Sequence, residues 1–187
     1  MKYNDKLISE MINSKRLSLS YWDKISHYWI VVLMLFGTGL FWCQVIKNYF
    51  NKLEPVIHNS EKLFNIGFCF LVIAILLFTI QYRRLTFKKV IINFTESQYK
   101  CALIVTSKET GWIVLDKNNI YVSAFHKTRT YLNWGELITI IKIDNGILIN
   151  SICDPSAKTA LFSFGWNRKN RNAFIRNLER IVLESKN

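Results

Sequence analysis

The stretch YWIVVLMLFGTGLFWCQVI, Tyr28 to Ile46, runs for 19 residues without a charge. A second stretch, FNIGFCFLVIAILLFTIQY from Phe64 to Tyr82, has the same length and is equally uncharged. A helix rises about 1.5 Å per residue, so each could cross the ~30 Å hydrocarbon layer of a bilayer. Aromatic residues stand where headgroups would lie: Trp22, Tyr28 and Trp29 before the first run, Trp42 and Tyr49 toward its other end, and Tyr82 closing the second. Such belts mark spanning helices. The alternative, two core helices of a soluble protein, asks a chain of 187 residues to cover helices that are apolar all round. The reading is two transmembrane helices, 28–46 and 64–82, with a leader 1–27, an outer loop 47–63 and a domain 83–187.

Positive charges orient the spans. Lys15, Arg16 and Lys24 precede the first, and Arg83, Arg84, Lys88 and Lys89 follow the second. The three lysines of the connecting loop are offset in part by Glu54 and Glu61. The positive-inside rule then puts both termini of this two-span chain in the cytoplasm. No cleavable signal peptide is expected, because the first apolar run follows a long polar leader and no small-x-small pattern comes after it. The leader's LISEMINSKRL has weak helical spacing and could lie on the membrane surface as a short amphipathic helix. None of the four cysteines is spaced for a disulfide framework or a zinc site, which fits reduced thiols.

The chain is 50% apolar and 14% aromatic, which excludes a disordered or collagen-like protein. Its net charge is +12; the 83–187 domain, with 17 basic and 8 acidic residues, carries +9 of it. That domain reads as α+β. Thr95 and Gln98 form a capping-box pattern ahead of a helix with Ala102, Leu103 and Val105 inside and Gly111 as its C-terminal cap. WIVLDKNNIYVSAF reads as two strands around a turn. ELITIIKIDNGILINSI reads as a hairpin with Asn145-Gly146 in a type I′ turn, where both turn residues need positive φ. A short strand, Ala160–Phe164, leads to a last helix from about Arg168 to Glu184 with Phe174, Ile175, Leu178, Ile181 and Val182 on its inner face. The expected order is helix, four or five mostly antiparallel strands, helix, with the helices on one face of the sheet.

The chemistry is sparse. No metal-ligand spacing, nucleophile elbow or phosphate-binding glycine loop is present, so neither catalytic residues nor a cofactor are assigned. Asp116, Asp144 and Asp154 fall in expected turns and read as structural. Cys153 and His126 are of the right types for a nucleophile pair, but nothing in the sequence brings them together. Trp112, Trp134 and Trp166 read as core or rim residues rather than a base-stacking platform, and no nucleic acid is expected as partner. One feature stands out. Asn167 is placed as the N-cap of the last helix, and Arg168, Lys169 and Arg171 crowd its first turn, where the macrodipole disfavours cations. Solvated surface charge is one reading; an anion site at the helix N-terminus is the other. Arg83, Arg84, Lys88 and Lys89 would form a second basic group at the membrane surface.

LINSICDP followed by SFGWNRKN resembles a signature of small two-span membrane proteins of Bacteroidetes-type bacteria, uncharacterised as a group, over roughly Gly111 to Leu178. It implies no activity. NWGELITI with the last helix more loosely resembles bacterial membrane proteins in which two spans precede a pleckstrin-homology-like domain; the helix Thr95–Thr110 ahead of the sheet departs from that pattern. The expected function is a membrane-anchored binding or regulatory module whose basic domain recognises a protein partner or acidic phospholipid headgroups. An accessory or immunity-type subunit of a membrane complex is the alternative, and a lipid- or nucleotide-acting enzyme a more distant one. The orientation is testable in a cysteine-free background. A membrane-impermeant thiol reagent applied to intact cells should label Asn59→Cys and leave Ser185→Cys unlabelled; labelling at Ser185→Cys would refute it.

Overall fold

The computed structural model describes residues 3–50, 57–127, 135–156, 163 and 165–185. The chain divides into two compact units, Lys24–Arg83 and Met1–Asp23 together with Arg84–Asn187. The first is built from α2, Tyr21–Phe50, and α3, Ile57–Arg84, both longer than the uncharged windows inside them. Both are long and apolar enough to cross a membrane, and large apolar side chains such as Phe36, Leu40 and Leu76 stand more than half exposed. The helices meet through aromatic pairs: Tyr28 on Phe78, Phe41 on Phe70, and Trp42 stacked on Phe64 at 5.9 Å. His27 Nε2–H donates to the carbonyl of Gln81 at 3.1 Å, satisfying a buried imidazole.

The second unit holds α1, Asp5–Ser14; β1, Lys88–Ile91; α4, Glu96–Thr110; β2, Trp112–Lys117; β3, Tyr121–His126; β4, Glu136–Ile143; β5, Gly146–Cys153; and α5, Trp166–Glu184. The five strands form one antiparallel sheet in the order β1-β5-β4-β3-β2. The capping box is present, with Thr95 N–H donating to Gln98 Oε1 at 2.7 Å, and Gly111 caps the other end of α4 in the left-handed region. Tyr99, Ala102, Leu103 and Thr106 are the buried stripe of α4, with Val105 only half-buried. They pack with Phe174, Ile175, Leu178 and Val182 of α5 onto Val122, Ala124, Ile138, Ile140, Ile147 and Ile149 of the sheet.

The other face of the sheet is covered as well, which corrects the expectation of helices on one face alone. Alternation along β4 and β5 turns Leu137, Ile141, Leu148 and Ile152 to that side, and all four are buried. The leader lies there. Ile8 and Met11 of α1 are 2% and 1% exposed, and Tyr3 sets its ring edge-on to Tyr121 at 5.5 Å. Leu17 N–H donates to Leu85 O, and Phe87 N–H to Lys15 O, so the leader pairs with the chain that follows α3. The buried Asn150 fastens that chain to β5, donating from Nδ2 to the carbonyls of Arg84 at 2.9 Å and Thr86 at 2.8 Å. The apolar stripe of α1 is therefore inside the protein, not on a membrane surface. Burial pushes the Tyr3 hydroxyl up to about 12, against a hydrogen bond with Thr139 that lowers it.

Three further expectations change. A strand, β1, precedes α4; with only four residues and two exposed lysines it has no apolar alternation to reveal it. Asp116 is in β2 beside a register shift and accepts from the Tyr121 hydroxyl; the turn is set by Asn118, whose Oδ1 accepts from Ile120 and Tyr121 N–H. The β4–β5 hairpin turns at Asp144-Asn145, with Ile143 facing Gly146, and not at Asn145-Gly146. Asn145 keeps negative φ, so the turn is not type I′. The expected strand at Ala160–Phe164 lies outside the described residues apart from Ser163, which is not in a strand.

Glycine is required at 146 for another reason. Its φ is +143°, and a Cβ there would sit 2.0 Å from the carbonyl oxygen of Val90 on β1. A left-handed φ in a non-glycine residue costs about 1–3 kcal/mol before any clash. Gly146→Val should therefore lower the thermal stability of the full chain in mild detergent by more than that range, with β1 displaced. An unchanged melting temperature would contradict this placement.

Candidate anion-binding site

The start of α5 is held by a buried polar network. Trp112, stacked on Phe174 in the core, donates from Nε1 to Asn170 Oδ1 at 3.1 Å. Asn170 donates from Nδ2 to Glu136 Oε2 at 3.4 Å, and the same oxygen accepts from His126 Nδ1 at 3.0 Å. Glu136 has no exposed surface, and Asn170 and His126 are 2% and 7% exposed. A buried carboxylate needs donors, and these two answer part of that need while tying α5 to β2, β3 and β4. A carboxylate can only accept, so His126 Nδ1 carries the proton. That fixes the tautomer of the neutral ring and leaves Nε2 as its free nitrogen. Among the described residues Nε2 makes no hydrogen bond.

Above this network lies a cleft of about 750 Å³, lined by His126, Trp166, Arg168, Lys169, Asn170 and Arg176 among others. Trp166 is the wall between two of them: His126 is tilted against its ring at 5.1 Å, and Lys169 Nζ lies over it at 4.6 Å. Placing a cation on an aromatic face holds the side chain in position. Arg176 pairs with Glu109 of α4. The Asn177 amide, and after it Arg176, hold the Glu109 carboxyl below its ordinary value, so this acid is already neutralised at the rim. Arg168 is exposed and makes no ion pair among the described residues.

The helix start also differs from expectation. Gly165, in the left-handed region, is the N-cap, and among the described residues no side chain caps the first turn. Asn167 is inside the helix, its Oδ1 accepting from Ser151 Oγ at 3.3 Å, and does not cap it. With Trp166 as the first helical residue, Arg168 and Lys169 belong to the first turn but Arg171 does not. Arg171 is half-buried and does not line the cleft; burial, and after it Arg168, lower its pKa. The second basic group is elsewhere. Arg83 and the half-buried Arg84 are the last two residues of α3, and Lys88 and Lys89 are exposed on the edge strand β1; none of the four lines the cleft.

Cys153 and His126 do not form a nucleophile pair. Both face Glu136 in the register, Cys153 from β5 and His126 from β3, so the two are separated by a strand and the carboxylate occupies the position between them. Burial pushes the Cys153 thiol up to about 11, leaving it protonated and unreactive at neutral pH. Among the described residues, no three His, Cys, Asp or Glu side chains gather as a metal site. Comparison with protein-family models, curated proteins and solved structures finds no match.

The parts that sequence reading missed are Glu136, Asn170, Asn177 and the role of Trp166. A signal was present for two of them. Asn170 and Asn177 fall on the inner stripe of α5 with Phe174 and Leu178, where only a buried partner makes an amide tolerable. Glu136, at the head of a β-branched strand, gave no indication of its partners.

Proposed function

We propose that this protein is a membrane-anchored binding module that captures anionic groups, foremost acidic phospholipid headgroups, in the cleft at the start of α5. The helices α2 and α3 supply the anchor in a bacterial inner membrane, with both termini cytoplasmic. The observation that carries the reading is the coincidence of three features at one place: a first helical turn that no side chain caps among the described residues, Arg168 and Lys169 within that turn, and a cleft of about 750 Å³ beside them. Free N–H groups at a helix start favour an anion, and cations placed against the dipole there are compensated when one is bound. Lys169 is already positioned on Trp166, which lowers the ordering cost of binding.

A second reading, an accessory or immunity-type subunit that grips another protein, is favoured by the outer edge of the sheet. Ile113, Val114 and Leu115 of β2 are 55%, 38% and 52% exposed, and Ile104 of α4 is 56% exposed. Edge strands with exposed apolar residues pair readily with other chains.

The test uses the full chain in nanodiscs of neutral lipid, co-sedimented with vesicles of phosphatidylcholine with or without phosphatidylglycerol. Each basic residue near an anionic surface contributes ~1 kcal/mol, so Arg168→Gln/Lys169→Gln should weaken binding by roughly 30-fold. Arg171→Gln, outside the cleft, should leave it nearly unchanged. Binding should be lost in 0.5 M salt, where exposed charges are screened within a few Å. Equal binding by the wild type and the double variant would overturn the proposal, and salt-resistant capture would favour the protein partner.

A further inference from the structure

We infer that the cleft is selective for a phosphate monoester over a diester, with His126 as the residue that discriminates. This rests on the anion-binding reading above and assigns the ligand chemistry of the same site. The observation that carries it is independent of the helix start. The His126 side chain is 9% exposed, lines the cleft, and has an Nε2 without a hydrogen bond among the described residues. Nine-tenths of the side chain is buried, and the unbonded Nε2 is the polar atom it leaves open to solvent, free to take a donor or acceptor from the cleft.

Glu136 narrows what that can be. It holds the Nδ1 proton, so the neutral ring offers only a lone pair at Nε2, and the imidazolium offers an N–H. A monoester meets both forms. Its second ionisation falls near pH 6, so near neutral pH it carries either an O–H or a second negative oxygen. The O–H donates to the lone pair. If the proton moves to Nε2, the resulting dianion accepts it back as a charge-assisted hydrogen bond, with no net proton gained or lost. A diester has no proton to give and can bond only to an imidazolium already formed. Arg168 and Lys169 attract either ligand, so without His126 the cleft would distinguish the two by charge alone. The other ionisable groups around the ring act alike on both: Cys153 from β5 stays neutral, and Glu109 from α4 is paired with Arg176.

The monoester could be a lipid headgroup or a soluble compound, and the experiment separates them. Full chain in neutral-lipid nanodiscs is co-sedimented at pH 7 with vesicles containing phosphatidic acid or phosphatidylglycerol, matched for surface potential. Glycerol 3-phosphate binding is measured separately by calorimetry. Wild type should bind phosphatidic acid vesicles at least tenfold more tightly than phosphatidylglycerol vesicles. His126→Gln should shrink that ratio to about twofold while retaining phosphatidylglycerol binding. The wild-type ratio stands as a test even if the variant folds poorly. Glycerol 3-phosphate binding as tight as the phosphatidic acid vesicles would identify a soluble monoester as the ligand; vesicle binding without it would identify the lipid. Equal wild-type binding of the two vesicle types overturns this inference and leaves the anion-binding function standing. Failure to bind either vesicle or glycerol 3-phosphate overturns both.

Discussion

Strands β4 and β5 carry apolar residues on both faces, and the rest of the domain is arranged around that constraint. From Glu136 to Ile141 and from Gly146 to Cys153 every residue is buried. Ile138, Ile140, Ile147 and Ile149 need one covering layer, and Leu137, Ile141, Leu148 and Ile152 need another. At about 1.5–3 kcal/mol for each fully buried side chain, either set of four is worth on the order of 6–12 kcal/mol. That is comparable to the whole stability of an ordinary domain, so neither layer is dispensable. Helices α4 and α5 provide one. The other comes from the leader and from the residues after α3, so the chain returns to the same domain on both sides of its two apolar helices. A fragment beginning at Lys88 would lack that second layer.

What the sequence revealed was what local patterning encodes. The two uncharged windows, the Thr95–Gln98 capping box, Gly111 as a cap and the inner stripe of α5 all follow from spacing within a few residues, and each stands in the structure. What escaped depends on partners far along the chain. The stripe of α1 has the same pattern whether it meets a membrane or a sheet, and contacts far along the chain, such as that of Tyr3 with Tyr121, 118 residues away, decide it. Gly146 looked like a turn glycine because Asn-Gly is a turn pair; its actual constraint is the close approach of Val90 from a strand 56 positions earlier. The candidate site divides in the same way. Arg168 and Lys169 were visible as cations against a helix dipole. Arg171 and Asn167 were misplaced because the helix begins at Trp166 rather than Arg168.

The network of Glu136, His126, Asn170 and Trp112 joins the fold to the cleft. A buried carboxylate hydrogen-bonded to two elements at once restricts how α5 can sit on the sheet, and thereby where its open first turn is presented. Leaving any of these groups unpaired would cost about 1–3 kcal/mol, more for the carboxylate, and an apolar replacement would pack as well or better. The arrangement makes sense if the orientation of His126 and of the helix start is what the domain needs to preserve. In that respect the polar cluster, costly for stability, is the best indication that this end of the sheet is a site.

The central claim is that the leader is a structural layer of the C-terminal domain. Amide hydrogen exchange of the full chain in nanodiscs tests it most directly. Leu17 and Phe87, whose N–H groups bond to Leu85 and Lys15, should be protected nearly as well as the central amides of β4 and β5, since all would open in one cooperative unit. Exchange of Leu17 and the α1 amides at the rate of free chain, while β4 and β5 stay protected, would contradict it.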